Sequence, residues 1–424
     1  MTMLHQEYQR VLHESSQYVL LRFPHIIPRE IPDLDLLFET REVYQKTIEK
    51  LQKEGYIVLS KEKLRTFLGK KAGKTFILFD MYLHVSWWGW KALDKKPIFA
   101  HKDGNYPRDE DELLIYIAQG IFKNFGYNKY KTQVVRELLK KDLDWNYIDQ
   151  QVKRNGWLNP FYNTLNVVRR DTAKVPLQKS FVLKSFLSTM LRKPKRINIL
   201  LRSMKFFIRK FKKQSTVICL IGVDGSGKST LIELLSKRVE EFFDKLECTT
   251  QKLYFGWTPF LPTTTLISKI LKKKKYSIVK EMNKSEKTFS VVQELMLFYY
   301  YIEYLSKYLF TVFPQRFGKN VVLIDRYFYD MYVHYSYAKN SKIFSFLMKW
   351  YPQPDYTFFL DVPVSVLDAR KDEMTVEELT LHRKRYQELQ SQLHFPIINT
   401  EKSLEECVDQ ILEEAWKTIA RRVA

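Results

Sequence analysis

The feature that most constrains the fold is a glycine-rich loop that directly follows an apolar strand. Residues 216–221 read Thr-Val-Ile-Cys-Leu-Ile, and residues 222–230 read Gly-Val-Asp-Gly-Ser-Gly-Lys-Ser-Thr. A helical run, Leu-Ile-Glu-Leu-Leu, follows at once. Glycines let the backbone approach phosphate oxygens, and the N-terminus of a helix attracts negative charge. This order predicts a parallel α/β sheet of the P-loop NTPase class, with helices on both faces.

We expect this loop to bind ATP with Mg²⁺. Lys228 can reach the β- and γ-phosphates, and the Ser229 hydroxyl can bind magnesium. Asp224 would be unfavourable beside phosphate unless it contacted the metal or served as base for an acceptor hydroxyl. The residues predicted to bind the nucleotide are Gly222, Gly225, Ser226, Gly227, Lys228, Ser229 and Thr230.

A second apolar run, residues 320–325, ends in Asp325 and is followed by Arg326. The carboxyl ends of parallel strands are where open α/β sheets bind ligands. We expect Asp325 to hold magnesium, directly or through water, and Arg326 to pair with a phosphate. A surface ion pair at the end of a strand is the alternative interpretation.

A third run, residues 354–363, is followed by Arg370 and by the basic set at residues 383–385. Such cations can close over the transferred phosphoryl group. For any single one of them solvated helix charge is the simpler interpretation, and Arg370 is the exception that we predict to be catalytic. The predicted catalytic set is therefore Lys228, Asp224, Asp325, Arg326 and Arg370.

Together, these three segments resemble the thymidylate kinase family of nucleoside monophosphate kinases over about residues 216–415. The resemblance implies that Asp224 contacts the acceptor sugar. It also implies that Asp325 and Arg326 handle magnesium and the acceptor phosphate. dTMP is the default acceptor of that family.

The chain departs from this family on the acceptor side. The family's Arg-Glu-Pro is replaced by the stretch at residues 254–262, and the middle helix carries residues 294–303 without the usual arginine. The longer Arg-Tyr-Phe-Tyr-Asp at residues 326–330 is similar to thymidylate kinase-like proteins found with surface-polysaccharide enzymes. A sugar or another nucleotide therefore stays open as the acceptor.

The N-terminal part places two acids, Asp33 and Asp35, at alternate positions of a short apolar run. On a strand both point to one face, and Asp80 lies in a later strand. Three carboxylates can hold magnesium for nucleotidyl transfer. The order of these segments over about residues 15–205 resembles an uncharacterised nucleotidyltransferase-fold family. The Gly-Ser that this family places before the acids is absent, so a fold that only binds a ligand is the alternative.

Composition and segment boundaries complete the predictions. We predict an α+β domain at residues 1–104, a helical domain at 105–190, a basic linker at 191–213 and the P-loop domain at 214–424. A formal charge of +22 favours anionic partners. The linker is either a connector helix or a weak contact for an anionic membrane surface through residues 192–213.

We therefore predict a cytoplasmic, two-module enzyme whose C-terminal module is an ATP-dependent kinase. Three scattered cysteines fit a reducing compartment, and no secretory signal is expected. The acceptor is a nucleotide or a sugar-like small molecule, nucleic acid is not expected as a partner, and a homodimer stays open. An ATP-driven switch and a basic factor that binds membranes or nucleic acid are the competing interpretations.

Overall fold

The computed structural model describes residues 17–22, 33–73, 75–87, 90–124, 127–170, 215–256, 258, 260–261, 291–370 and 374–424. It divides into two compact units, residues 1–210 and 211–423. The predicted basic linker at 191–213, with its candidate membrane contact, lies outside the described residues, so it stays a prediction. No helix among the described residues is long and apolar enough to cross a membrane.

The N-terminal unit contains a five-stranded mixed sheet in the order β1-β2-β5-β4-β3, in which β2 and β5 are parallel and the other neighbours antiparallel. Its strands are β1 (Tyr18–Leu21), β2 (Leu34–Phe38), β3 (Ile57–Lys61), β4 (Arg65–Ala72) and β5 (Thr75–Tyr82), and a small ribbon pairs β6 (Ser86–Trp87) with β7 (Trp90–Lys91). Every residue of β1 and β2 is buried. Continuous burial explains why these strands read as apolar runs rather than as alternating ones.

Helices follow the sheet, as predicted. They are α1 (Arg41–Lys53), α2 (Lys95–Ala100), α3 (Asp109–Gln119), α4 (Lys129–Leu138), α5 (Trp145–Asn155) and α6 (Leu158–Arg170). Four acids occupy the first turn of α3, where the helix dipole favours them. The helix α3 packs against α4, α5 and α6, and a single apolar core joins these helices to the sheet. Because this core contains residues from both sides of residue 104, it does not test the domain boundary predicted there, which stays a prediction.

The C-terminal unit confirms the predicted parallel sheet. Its strands are β8 (Thr216–Ile221), β9 (Thr249–Tyr254), β10 (Asn320–Asp325), β11 (Tyr356–Asp361) and β12 (Ile397–Asn399), and their order is β9-β10-β8-β11-β12. All four neighbouring pairs are parallel. The two central strands β8 and β10 are buried along their whole length, as apolar strands between two layers of helices should be.

The helices that flank this sheet are α7 (Lys228–Phe242), α8 (Val291–Lys307), α9 (Asp330–His334), α10 (Lys342–Trp350), α11 (Val364–Arg370), α12 (Val376–Leu393) and α13 (Leu404–Val423). The helix α8 continues as a π-helical turn at Tyr308–Val312. At the start of α12, Thr375 and Glu378 form a capping box. The helix α7 packs on β9, β10 and α13, which fixes the phosphate-binding loop at its N-terminus.

Candidate functional site

The carboxyl ends of β8 and β10 meet at a cavity of ≈ 690 Å³. It is lined by Asp224, Gly225, Ser226, Gly227, Lys228, Ser229, Thr230, Tyr254, Asp325, Arg326, Arg370, Thr400, Glu401, Lys402 and Leu404. The structure thus brings together every residue predicted for the C-terminal site except Gly222, which lies at the start of the loop. Segments up to 180 residues apart in sequence converge there because parallel strands end at one edge of the sheet.

Two glycines are required by the geometry of the loop. Gly227 has a φ of 89°, a left-handed conformation that costs a side chain about 1–2 kcal/mol. At Gly222 an added Cβ would lie 2.7 Å from the carbonyl oxygen of Leu360. The loop therefore passes too close to β11 for any larger residue at that position.

Lys228 is buried at the floor of the cavity. Its Nζ donates to the carbonyl oxygens of Gly222 and Val223, both at 2.9 Å. Burial and the nearby Arg326 lower the pKa of Lys228. The ammonium group is therefore held inside the loop by two neutral acceptors, and it lies 3.8 Å from Asp224 Oδ1. Phosphate oxygens are stronger partners for an ammonium group than neutral carbonyl oxygens.

Ser229 and Asp325 form the candidate magnesium site. The Ser229 hydroxyl donates to Asp325 Oδ2 at 2.6 Å. The other carboxylate oxygen, Oδ1, is buried and has no hydrogen-bond partner among the described residues. A buried anionic oxygen without a partner is costly, and a hydroxyl with a carboxylate is a donor set that Mg²⁺ accepts. These residues therefore fit the metal.

Arg326 is held between two carboxylates. Its guanidinium contacts Asp224 through Nη2 and donates to Asp330 Oδ2 through Nη1 at 3.0 Å. Burial opposes its charge, but Asp330 and Asp224 raise the pKa of Arg326 above its usual value. On the far side of Asp330, the hydroxyl of Tyr386 donates to Oδ1 at 2.7 Å. Arg326 also has a φ of 68°, so its backbone is strained at the site.

The basic residues after β11 separate into two groups. Arg370 lines the cavity, and its Nη1 lies 3.4 Å from the carbonyl oxygen of Gly225. Arg383 instead forms a bidentate pair with Asp361, at 2.7 and 3.0 Å. Arg385 donates to the carbonyl oxygen of Val333 at 2.6 Å. Of these three arginines, Arg370 is the one that lines the cavity, and its predicted catalytic role stays a prediction.

Sequence reasoning missed the role of Glu303 and Lys307 on α8. The Glu303 carboxylate accepts from the backbone N–H groups of Phe260 and Leu261. Lys307 Nζ donates to the carbonyl oxygen of Gly256 at 3.0 Å and to the hydroxyl of Thr258 at 2.9 Å. Burial lowers the pKa of Lys307 to about 8. The thymidylate kinase pattern has an arginine on this helix. In this chain, Glu303 and Lys307 of the helix instead form hydrogen bonds to the loop after β9.

The turn after β12 also contributes to the site. Thr400, Glu401 and Lys402 line the cavity, and the Thr400 hydroxyl donates to the carbonyl oxygen of Ser226 at 3.2 Å. In the sequence, residues 396–401 (Pro-Ile-Ile-Asn-Thr-Glu) predict the last strand, and the resemblance to the thymidylate kinase family implies that its loop lies near the adenine. The contact of this loop with a nucleotide stays a prediction.

In the N-terminal unit the three predicted carboxylates do converge. Oxygen atoms of Asp33, Asp35 and Asp80 lie within 4.8 Å of one another. Asp35 and Asp80 face each other across the parallel pair β2–β5. Burial, with Asp35 and Asp80 nearby, raises the pKa of Asp33 to about 6. Burial acts in the same direction on Asp80, but Arg65 outweighs it and lowers the pKa of Asp80 to about 2.

A buried parallel sheet, a phosphate-binding loop after its central strand and an adjacent Ser–Asp pair define a P-loop NTPase fold. More particularly, the model of the thymidylate kinase family matches residues 221–411. This match lies within the C-terminal unit. The unit is thus similar to kinases that bind nucleotides, and the resemblance of the N-terminal unit to nucleotidyltransferases stays a prediction.

Three individual proteins are similar to part of this chain. The probable thymidylate kinase 1 of Saccharolobus solfataricus is 23% identical over 216 residues, which are 49% of this chain and 98% of that protein. Thymidylate kinase structures from Ehrlichia chaffeensis and Candida albicans are each 17% identical. They cover 47% and 49% of this chain and 98% and 93% of their own, with TM-scores of 0.32 and 0.34.

Proposed function

We propose that the C-terminal unit transfers the γ-phosphoryl group of ATP, with Mg²⁺, to a nucleoside monophosphate or a related small acceptor. dTMP is the default acceptor of the family that the unit resembles. The observation that carries the proposal is the Ser229–Asp325 pair. It presents an unpartnered carboxylate oxygen in the same cavity as Lys228 and the Asp224–Arg326 pair.

The proposed mechanism relies on positioning and charge. Lys228 exchanges its two carbonyl partners for phosphate oxygens, and the backbone N–H groups of the loop bind the same phosphates. Ser229 and Asp325 would hold Mg²⁺, and the ion would supply charge stabilisation to the triphosphate. Asp224 orients the acceptor or takes its proton, and Arg370 compensates charge on the transferred group.

The acceptor side supports a second candidate, a sugar-like hydroxyl. The guanidinium of Arg326 is already bound by Asp224 and Asp330. Glu303 and Lys307 hold the neighbouring loop where the family carries an arginine. A dianionic acceptor phosphate would therefore compete with these carboxylates for Arg326, whereas a neutral hydroxyl would not.

A transfer screen with γ-labelled ATP separates these acceptors. It includes dTMP, other nucleoside monophosphates, nucleosides and sugars, with Lys228→Ala as the inactive variant and the exposed Lys349→Ala as the matched control. We expect one acceptor class to be labelled, and the labelling to be lost only in Lys228→Ala. ATP turnover that labels no acceptor and survives Lys228→Ala would contradict the kinase proposal. Turnover to free phosphate that needs Lys228 would favour the ATP-driven switch.

For the N-terminal unit we propose nucleotidyl transfer or nucleotide binding as a further candidate. The convergence of Asp33, Asp35 and Asp80 is the observation that favours it. The double variant Asp33→Ala with Asp35→Ala should abolish transfer of a labelled nucleotide, whereas the exposed Asp142→Ala should not. Transfer that persists in the double variant would refute the carboxylate assignment. The cytoplasmic location and the homodimer stay predictions.

A further inference from the structure

Two histidines lie beside Arg326 on the acceptor side of the candidate kinase site. His334 is the last residue of α9, and its Nε2 lies 3.4 Å from Arg326 Nη1. His382 belongs to α12, and its ring meets the ring of His334 edge-on, with the ring centroids 4.8 Å apart and an angle of 88° between the planes. Both residues are half-buried. Neither histidine takes part in the mechanism proposed for phosphoryl transfer.

The contact with Arg326 determines the protonation of His334. A guanidinium group can only donate hydrogen bonds, so the imidazole nitrogen that faces it must accept. His334 is therefore neutral, with its proton on Nδ1. A protonated ring at this distance would instead place a second positive charge against the guanidinium group.

The surroundings of the two rings favour their neutral forms. Burial is the largest cause that lowers the pKa of each ring, and together with His334 it lowers the pKa of His382 to about 4. Cations nearby act in the same direction as burial, and carboxylates oppose it. The cations are Lys228, Arg326 and Arg385, and the carboxylates are Asp224 and Asp330.

A phosphate group bound at Arg326 would change this balance. Arg326 lines the cavity, and Asp224 and Asp330 already offset its positive charge. A phosphate at this guanidinium group would bring two negative charges close to His334, and opposite charge nearby raises the pKa of an imidazole. Once protonated, the ring can donate from both nitrogens, so Nε2 can turn from an acceptor for Arg326 into a donor to the phosphate.

We propose that His334 is the proton reserve of the acceptor site, neutral in the free protein and protonated when a phosphorylated acceptor binds at Arg326. The proton comes from solvent and supplies positive charge that the carboxylate-paired guanidinium group lacks. His382 is a positioning residue that holds the ring of His334 by its edge-on contact. The acceptor class is therefore anionic, a nucleoside monophosphate, and the inference rests on the proposed kinase function.

Isothermal titration calorimetry of the full chain with dTMP, without Mg²⁺, tests this role. Titrations in buffers of different ionisation enthalpy give the number of protons taken up per ligand bound. At about pH 7.5 dTMP itself is mostly dianionic, because the second pKa of a phosphate monoester is about 6. We expect uptake of between about half a proton and one proton per dTMP, and none with thymidine, which lacks the phosphate. Binding of dTMP without proton uptake, or binding of none of the nucleoside monophosphates in the transfer screen, would overturn the inference.

His334→Asn gives the sharpest comparison, because the amide keeps a hydrogen-bond acceptor for Arg326 but does not take up a proton. We expect the Kd for dTMP to rise about tenfold and the proton uptake to disappear. His382→Phe keeps an aromatic ring against His334 and should retain the uptake. The exposed His394→Asn is the matched control, and thermal melting verifies folding. Weaker binding of dTMP with unchanged proton uptake in His334→Asn would show a purely structural histidine and refute the proposal.

Transfer assays separate this role of His334 from the kinase activity itself. Phosphoryl transfer confined to uncharged acceptors would refute the proton reserve and leave the kinase proposal standing. Proton uptake with dTMP that requires His334, in a protein whose ATP turnover labels no acceptor, would support the proton reserve and contradict the kinase proposal.

Discussion

At the residue scale, the candidate kinase site depends on Asp325. One oxygen of this carboxylate accepts from Ser229, and the other has no partner in the part of the chain that the structure describes. Most buried polar atoms in folded proteins are hydrogen-bonded, so such an atom needs an explanation. A metal ion bound during turnover provides one. Since the Ser229 hydroxyl reaches the same carboxylate, the two residues would act as one ligand set.

Replacing Asp325 with asparagine keeps the size of the side chain but removes its charge. We expect kcat/KM to fall by about 100-fold, equivalent to about 2.7 kcal/mol, because the magnesium ligand is weakened. The Mg²⁺ concentration needed for half-maximal activity should rise as well. The exposed Asp409→Asn serves as the matched control, and an unchanged Mg²⁺ requirement would contradict the assignment.

The Tyr386 hydroxyl donates to Asp330, which in turn accepts from Arg326 of the candidate site. Tyr386→Phe leaves a buried carboxylate oxygen short of one donor, which should cost about 1–3 kcal/mol in the free energy of unfolding. We expect the KM for the acceptor to rise more than the KM for ATP. Tyr356→Phe, whose hydroxyl pairs with Thr418, is the control. Equal effects on both KM values would argue against a positioning role.

At the scale of elements, Asp355 joins three parts of the C-terminal unit at the start of β11. Its carboxylate accepts from the backbone N–H of Val217, from Arg316 at 3.0 Å and from Arg422 of α13 at 2.6 and 2.9 Å. The helix α13 is thereby fastened to β8 and β11 by charge as well as by its apolar face. Burial alone would raise the pKa of Asp355, but Arg422, Val217 and Arg316 outweigh it and lower the pKa.

Because folding lowers the pKa of Asp355, the charged form of this side chain stabilises the folded protein. The contribution of Asp355 to stability should be fully present above its unfolded value of 3.8 and be lost as pH falls through the lower folded value. Asp355→Asn should cost about 3 kcal/mol at neutral pH, because two arginines lose their charged partner. This cost should shrink below about pH 4. Urea unfolding from pH 3 to 7 measures it, with Asp368→Asn as control, and a pH-independent difference would contradict the assignment.

At the scale of the whole molecule, the chain consists of two compact units with separate candidate sites. The described residues that line the P-loop cavity belong to the C-terminal unit, and those of the carboxylate cluster belong to the N-terminal one. Each unit has an apolar core of its own. Ligands of one site are therefore expected to stabilise one unit.

Calorimetry of the full chain should show two unfolding transitions. A non-hydrolysable ATP analogue with Mg²⁺ should raise the temperature of one transition, with about 2.7 kcal/mol of stabilisation at a concentration 100 times its Kd. Lys228→Ala should remove this shift without moving the other transition. A single transition that shifts as a whole would show that the units unfold cooperatively.

The P-loop, the apolar strands and the start of α3 could be predicted from residues that are close in sequence. Each depends on residues that are neighbours in the chain: glycines at a strand-to-helix turn, a run of buried side chains, or acids in a first helical turn. These patterns also placed Asp325 and Arg326 at the end of a strand. They therefore predicted the edge of the sheet that carries the candidate site and the class of the fold.

Only the tertiary structure decided which charges meet. Arg326 between Asp224 and Asp330, Arg383 on Asp361, and the turn at residues 400–402 join segments that are far apart in sequence. The carboxylate cluster shows the same limit, because Asp33 and Asp35 were visible as a pattern whereas their cations were not. Side-chain pairing across elements depends on the packing of the sheet and its helices, and no local spacing in the chain encodes it.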